Sequence, residues 1–366
     1  MEIKRAIEKK LTAWKQAPDR KPLILQGARQ VGKTWLLNHN APEYAVASAG
    51  SLLGVAMSRG NSFPVGKVDF LQLNPVCLSE FLTAADLKLF DYLESIDRIE
   101  PLPDIFFHQL VEKLKMYFIC GGMPEAVVAL LAQQDMDKTQ RVLQNIINAY
   151  ALDFSKHAEN KEIPKLNYLW SSIPSQLARD NKKFLYQAVK QGARSREYED
   201  ALLWLSHAGL VHRIFRISKP GLPLSAYDDL SAFKLYLIDV GLLRRLSFLD
   251  PIAIREGNRL FVEFKGALSE NFILQHLIAN FEGVPRYWTS GSQAEVDFLI
   301  QVKNNIVPVE VKSDEGVRSK SLAVYNDLYH PPVRIRYSLK NLKKDNGLLN
   351  IPLFMVDYTD KLLQLK

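Results

Sequence analysis

The stretch 23-LILQGARQVGKTWLL-37 decides how the first third of this chain folds. Leu23, Ile24 and Leu25 make a short apolar run suited to a buried strand, and a helix is expected to start near Lys33. Between them lie Gly27, Ala28, Arg29, Gln30, Val31, Gly32, Lys33 and Thr34, which satisfy GxxxxGK[ST] at every required position. The two glycines let the backbone curl so that successive N–H groups face one anion, and the helix N-terminus adds its partial positive charge. In such a loop the lysine ammonium reaches the β- and γ-phosphates and the threonine hydroxyl ligates Mg²⁺. ATP and Mg²⁺ are therefore the expected cofactors, with Thr34 as a metal ligand.

Turnover needs an acidic pair at the end of a neighbouring strand, Asp to support Mg²⁺ and Glu to orient water. Residues 41-APEYAVASAGSLLG-54 supply a strand over 45–49, but it ends in Gly50 and Ser51. Two apolar runs do end in Asp, 89-LFD-91 and 235-LYLID-239, yet the next residues are Tyr92 and Val240. The first has helical spacing, and both are read as structural.

With 366 residues, 47% of them apolar and 24% charged, the chain is expected to be soluble and to hold two or three domains; disorder, collagen and coiled coil are excluded. A membrane span needs about 20 nearly uninterrupted apolar residues, and runs such as 235-LYLIDVGLL-243 stay short of that. The opening MEIKRAIEKK is charged rather than apolar, so a cytoplasmic protein is expected. Cys77 and Cys120 sit in no Cys/His cluster and are read as small core residues. The net charge of +7 is compatible with an anionic partner such as DNA, although it is spread along the chain.

The pattern 105-IFFHQLVEKLKMYF-118 is helical, and 121-GGMP-124 after it reads as a helix stop and a new start, a structural corner. Helical spacing continues from Asp137 to Lys190. Residues 194–218 then give an amphipathic helix, a stop at Gly209 and a strand over 210–217, with a further strand over 232–243. Helix, helix and a two-stranded wing is the pattern of a winged helix, which binds DNA or docks proteins. Arg194, Arg196, Arg213 and Arg216 make it basic, while Glu197, Glu199 and Asp200 offset them.

Residues 260-LFVEFKGALSENFILQHLIANF-281 form a helix carrying Glu270, and 295-EVDFLIQ-301 with 306-IVPVEVKS-313 form a β-hairpin. Period two puts Glu310 and Lys312 on one face, and the hairpin sets Asp297 beside Glu310. Asp, twelve residues, then Glu-Val-Lys is the PD-(D/E)XK spacing of restriction-type nucleases. There Asp297 and Glu310 would hold Mg²⁺, Lys312 would position or activate the nucleophile, and Glu270 matches an extra acidic residue. A solvated charged sheet face is the competing interpretation.

With the loop at 27–34, 48-SAGSLLG-54, 63-FPVGKVDFLQLNPVCLSEFL-82 and 121-GGMPEAV-127 in view, the chain resembles a prokaryotic family of AAA-type ATPases. The family pairs an N-terminal ATPase domain with a C-terminal restriction-endonuclease-like domain of unknown function. The resemblance spans nearly the whole chain. It implies that Ser51 senses the γ-phosphate, and that copies of the chain assemble as a homo-oligomer. Arg59, near the loop 62–64, would be an arginine finger for a neighbour or a solvated surface residue. The sequence departs from the family where it passes from 35-WLLN-38 to 40-NAPEY-44, without the segment that holds the acidic strand.

The expected fold class is thus α/β in three parts. Residues 1–135 form a P-loop NTPase-like domain, internally shortened near 38–43. Residues 136–246 form a helical and winged-helix region, and residues 247–366 an α/β restriction-endonuclease-like domain. ATP binding is the leading expectation, with hydrolysis in doubt. The alternatives are a Mg²⁺-dependent nuclease acting on DNA and a non-enzymatic regulatory or interaction protein.

Overall fold

The computed structural model describes residues 3–40, 46–48, 66–256, 262–291, 294–313 and 320–365. Ser51, Arg59, the loop 62–64 and residues 41–43 of the shortened link lie outside these.

Helix α1 (Ile7–Gln16) leads into β1 (Leu23–Gln26) and α2 (Lys33–Asn40). Strands β2 (Val46–Ser48) and β3 (Asp69–Gln72) pair in parallel with β1 from either side. A central parallel strand is covered on both faces, which is why Leu23, Ile24 and Leu25 are all buried instead of alternating.

Helices α3 (Leu78–Ala85), α4 (Leu87–Ser95), α5 (Asp104–Cys120), α6 (Pro124–Gln133), α7 (Met136–His157), α8 (Ile163–Leu177), α9 (Tyr186–Val189) and α10 (Ser195–His207) follow. The run 89-LFD-91 lies inside α4, as its spacing indicated. Helix α5 stops at Gly121 (φ +66°) and α6 starts on Pro124, so the Gly-Gly-Met-Pro stretch is a corner. A β-carbon on Gly121 would stand 2.2 Å from Asp239 Oδ1, so the tight approach of another segment demands glycine there as much as the dihedral does.

Strands β4 (Val211–Ile217) and β5 (Asp228–Leu237) form the expected hairpin. The strand expected over 232–243 ends earlier, because Asp239 caps α11 (Val240–Leu246) by accepting from Leu242 N–H at 2.9 Å. Then come α12 (Pro251–Glu256), α13 (Val262–Asn280), β6 (Arg286–Thr289), β7 (Glu295–Val302), β8 (Asn305–Val311), α14 (Lys320–Tyr329), β9 (Arg334–Ser338), β10 (Lys343–Asp345), β11 (Leu348–Pro352) and α15 (Thr359–Gln364). The larger sheet is mixed, in the order β10-β11-β9-β8-β7-β6-β4-β5.

That order corrects the idea of a separate wing. The β4–β5 hairpin is the edge of the C-terminal sheet, joined where Arg216 pairs with Tyr287 of β6. The ion pair between Arg286 and Asp228, at 2.5 Å, fastens the same seam. Strands on both sides of residue 246 therefore share one sheet.

A single apolar cluster extends from Ile3 to Leu362, with a smaller one around Trp288, Val296, Leu299 and Tyr325. Cys77 and Cys120 are buried and free. Helix α5 and the corner after it are joined to α11 and α13 through buried polar contacts: Asp239, the cap of α11, accepts from Gly122 N–H at 2.6 Å, and Gln275 of α13 donates to the Tyr117 hydroxyl at 2.9 Å. Among the described residues no helix is long and apolar enough to cross a membrane.

Candidate functional sites

The loop between β1 and α2 is shaped by positive φ at Gly27 (+148°), Gln30 (+69°) and Gly32 (+94°). At Gly27 a β-carbon would lie 2.3 Å from the Leu73 carbonyl oxygen, where β3 ends, so this position admits no side chain. Ala28 and Val31 turn inward and are fully buried, whereas Arg29, Gln30 and Thr34 face solvent. The loop is braced from outside by three side chains. Arg5 donates to the Val31 carbonyl at 3.2 Å, the Tyr150 hydroxyl on α7 donates to the Arg29 carbonyl at 2.8 Å, and Arg29 pairs with Asp153 of α7.

Within the curl, Lys33 Nζ donates to the carbonyls of Gly27 at 2.8 Å and Ala28 at 2.6 Å. No carboxylate pairs with it among the described residues. Burial, and secondarily the neighbouring Arg29 charge, push its pKa down to about 8. A desolvated ammonium beside another cation and a helix N-terminus is a place where negative charge is strongly favoured.

The second constellation is drawn from five elements. Asp297 on β7, Glu310 on β8, Lys312 just after β8 and Glu270 on α13 lie in one charged cluster, in which Asp297, Glu310 and Glu270 all act on Lys312. Asp297 Oδ2 accepts from Val311 N–H at 2.8 Å, which fixes it against β8. Lys312 Nζ stands 3.0 Å from Glu310 Oε1. Glu310 is 2% exposed and its Oε2 atom has no hydrogen-bond partner. A carboxylate oxygen is the kind of ligand that hard divalent cations take, but among the described residues Glu270, Asp297 and Glu310 do not bring their oxygens all within 4.8 Å of one another.

The sequence did not point to Lys182, Lys234, Tyr236 or Glu295, which complete the cluster. Lys182, on the bend between α8 and α9, ion-pairs with Glu270 Oε1, while the Tyr236 hydroxyl donates to Glu270 Oε2 at 3.0 Å. Lys234 is fully buried, 2.5 Å from Glu295 Oε1 and over the Tyr287 ring at 4.9 Å. A lysine inside the apolar run 232-AFKLYLI-238 was the available signal, since a strand buries such a residue only with a partner. Burial pushes the Glu270 pKa up, but Lys182 and Lys234 outweigh it and hold the group below its usual value. Asp297 goes the other way, raised to about 7 by burial and by the Glu270 charge. The lysine charges act on both carboxylates, but only Glu270 has Lys182 and the Tyr236 hydroxyl in direct contact, which separates the two.

A third cluster, Cys77, His276 and Asp357, brings ligand atoms within 4.8 Å of one another. Its groups are occupied by the N-terminus of α3. His276 Nε2 accepts from Leu78 N–H at 2.9 Å with Nδ1 2.7 Å from the Phe272 carbonyl, a pattern that assigns the neutral Nδ1–H tautomer. Asp357 accepts from Ser79 N–H at 2.8 Å and from Asn280 at 2.7 Å. The trio is a long-range helix cap.

Comparison with known proteins gives two family matches, both described as domains of unknown function: DUF8612 over residues 111–253 and DUF4143 over residues 265–355. No curated protein matches the chain. A crystal structure of protein VC1899 from Vibrio cholerae is 12% identical, covering 94% of this chain and 98% of that one, with a TM-score of 0.21. The chain is therefore a mixed α/β protein that is similar, in its central helices and its C-terminal sheet, to two domain families of undetermined function.

Proposed function

We propose that this protein binds ATP with Mg²⁺ in the P-loop at residues 27–34, as the resemblance to AAA-type ATPases implies. The observation that carries this reading is the Lys33 ammonium, held inside the glycine curl by carbonyls alone and without a counter-ion among the described residues. Lys33 would exchange those carbonyls for phosphate oxygens, and Thr34, exposed at the start of α2, would reach the metal. The strands of the small sheet end in Gln26, Ser48 and Gln72, not in a carboxylate pair, so binding is expected to exceed turnover. Such a protein belongs in the cytosol.

Titration calorimetry of the full chain with MgATP tests the reading. Lys33→Ala should weaken affinity about 100-fold, the order expected for a charge-assisted contact of about 1.5–3 kcal/mol, with an unchanged thermal midpoint. Because Lys33 titrates near 8 without nucleotide and an adjacent triphosphate raises it, binding should take up protons at pH 8.5. Affinity should fall as pH rises through that region. Equal affinity in both proteins, or none in the wild type, overturns the assignment.

A second reading, a Mg²⁺-dependent nuclease acting on DNA, is favoured by the unpaired Glu310 Oε2. Asp297 and Glu310 would hold the metal, which when bound lowers the pKa of its water and offsets phosphate charge. Lys312 and Glu270 would then help to position the nucleophile. Mg²⁺-dependent cleavage of DNA that vanishes with Asp297→Ala is the expected result; cleavage that survives the substitution removes these residues from the role.

A further inference from the structure

A cavity of about 800 Å³ opens between residues 183–187, the start of α10 and the β4–β5 hairpin, apart from the glycine loop and the acidic cluster. Its walls are aromatic. Phe184 and Phe233 stack with ring centroids 5.0 Å apart, Tyr186 meets Phe184 edge-on at 5.1 Å, and Phe215 is tilted against Phe233 at 5.9 Å. One cation stands among these rings: Arg213 of β4 lays its guanidinium over Phe233 at 4.4 Å and over Phe215 at 5.1 Å. Its Nη1 donates to Glu199 Oε1 of α10 at 2.6 Å. Nε is buried without a partner, and Nη2 makes no hydrogen bond among the described residues. The Nε–Nη2 edge, the side of the fork that grips a carboxylate through two parallel N–H bonds, is therefore unpartnered. At the mouth, pairing of β4 with β5 steps from Phe215–Phe233 to Arg216–Asp229, so residues 230–232 bulge from the ladder and Leu230 is 72% exposed.

The geometry points to a binding site for a small aromatic carboxylate, with its flat body against the rings of this cavity and its anionic group on Arg213. The volume lies within the range of small-molecule sites, about 300–1,000 Å³, and aromatic walls with a few convergent polar groups are their usual lining. The charged residues of the lining are Lys183, Arg213 and Glu199, which leave one positive charge, the complement of a monoanion. Ser195, the first residue of α10, also lines the cavity, so the positive end of that helix borders it. A buried N–H without an acceptor is costly, and a ligand carboxylate at Arg213 supplies the acceptor that Nε lacks. Glu199 fixes the guanidinium in place through Nη1 and, as a like charge, sets a ceiling on the affinity for the anion. The site is independent of both the nucleotide and the nuclease readings.

The test is calorimetric titration of the full chain with cinnamate, cinnamyl alcohol and cinnamylamine, one flat body carrying a negative, a zero and a positive charge. Cinnamate should bind with one site per chain, and the alcohol and the amine at least about tenfold more weakly, the order lost with one charge-assisted contact. This ranking is read on the unaltered protein, so it stands even if Arg213→Met fails to fold. Two substitutions at exposed or half-exposed positions then place the site. Glu199→Gln, which removes the competing negative charge, should tighten cinnamate, whereas a merely structural ion pair would give no gain. Leu230→Asp, which adds a negative charge at the mouth, should weaken it. The proposal is overturned if cinnamate does not bind, if the three compounds bind alike, or if binding ignores both substitutions.

Discussion

Asp239→Ala is expected to lower the unfolding free energy by about 2–6 kcal/mol, about 1–3 kcal/mol for each of two buried amides left without an acceptor. Asp239 is fully buried and accepts from Gly122 N–H at 2.6 Å and Leu242 N–H at 2.9 Å, with Gln275 Nε2 more distant at 3.4 Å. Alanine would leave both amides without a partner in the interior, at about 1–3 kcal/mol each, the Leu242 amide being the one that caps α11. Burial raises the Asp239 pKa, so the carboxylate charge itself is a cost that the surrounding donors offset. The loss on substitution therefore comes from the donors left bare. Asp239→Asn, which keeps one acceptor oxygen and removes the charge, should be milder. Urea denaturation followed by circular dichroism reads the difference, and a loss under about 1 kcal/mol for alanine would show that water or a rearranged corner takes the place of the carboxylate.

Arg5→Ala should cost a similar amount, about 3–4 kcal/mol, and should reach the glycine loop at 27–34 as well. The Arg5 guanidinium lies between three segments: Nε to Glu80 at 3.1 Å, Nη1 to the Val31 carbonyl at 3.2 Å and Nη2 to the Asn74 carbonyl at 2.7 Å. Both members of the Arg5–Glu80 pair are buried, so removing the arginine strands a carboxylate in the interior. Glu80 keeps two backbone donors, Ala6 N–H at 2.6 Å and Cys77 N–H at 2.9 Å, which holds the loss below that of a fully orphaned charge. In a double-mutant cycle, adding Glu80→Gln to Arg5→Ala should recover part of the stability, because the orphaned charge is then gone. Costs that simply add would mean that the two side chains act independently. Since Val31 belongs to the glycine loop at 27–34, the ATP-binding proposal expects MgATP affinity to fall in Arg5→Ala even at temperatures where the protein remains folded.

Local signals were the most legible part of the chain. The strand, glycine loop and helix at 23–37 are all present, because an apolar triplet, positive-φ glycines and a helix start are written in adjacent residues. The hairpin carrying Asp297 and Glu310 was equally visible, since alternation places both carboxylates without reference to the rest of the fold. The corner at Gly121 and the Asp at 239 were each recognised as structural for separate reasons. That they are one structure, with the carboxylate on the glycine amide 117 residues away, was not visible.

Sequence by itself determined what can be read between near neighbours along the chain: the strand, glycine loop and helix at 23–37, the hairpin that carries Asp297 and Glu310, and the glycine corner. Tertiary structure alone decided that β4 and β5 extend the C-terminal sheet through the contact of Arg216 with Tyr287, which turns an apparent wing into a sheet edge. It also decided that Lys182 and Lys234 enter the acidic cluster. The reason is physical: φ/ψ preference and side-chain periodicity act between neighbours along the chain, whereas pairing of distant charges depends on which buried faces meet, and that follows from packing the whole core at once.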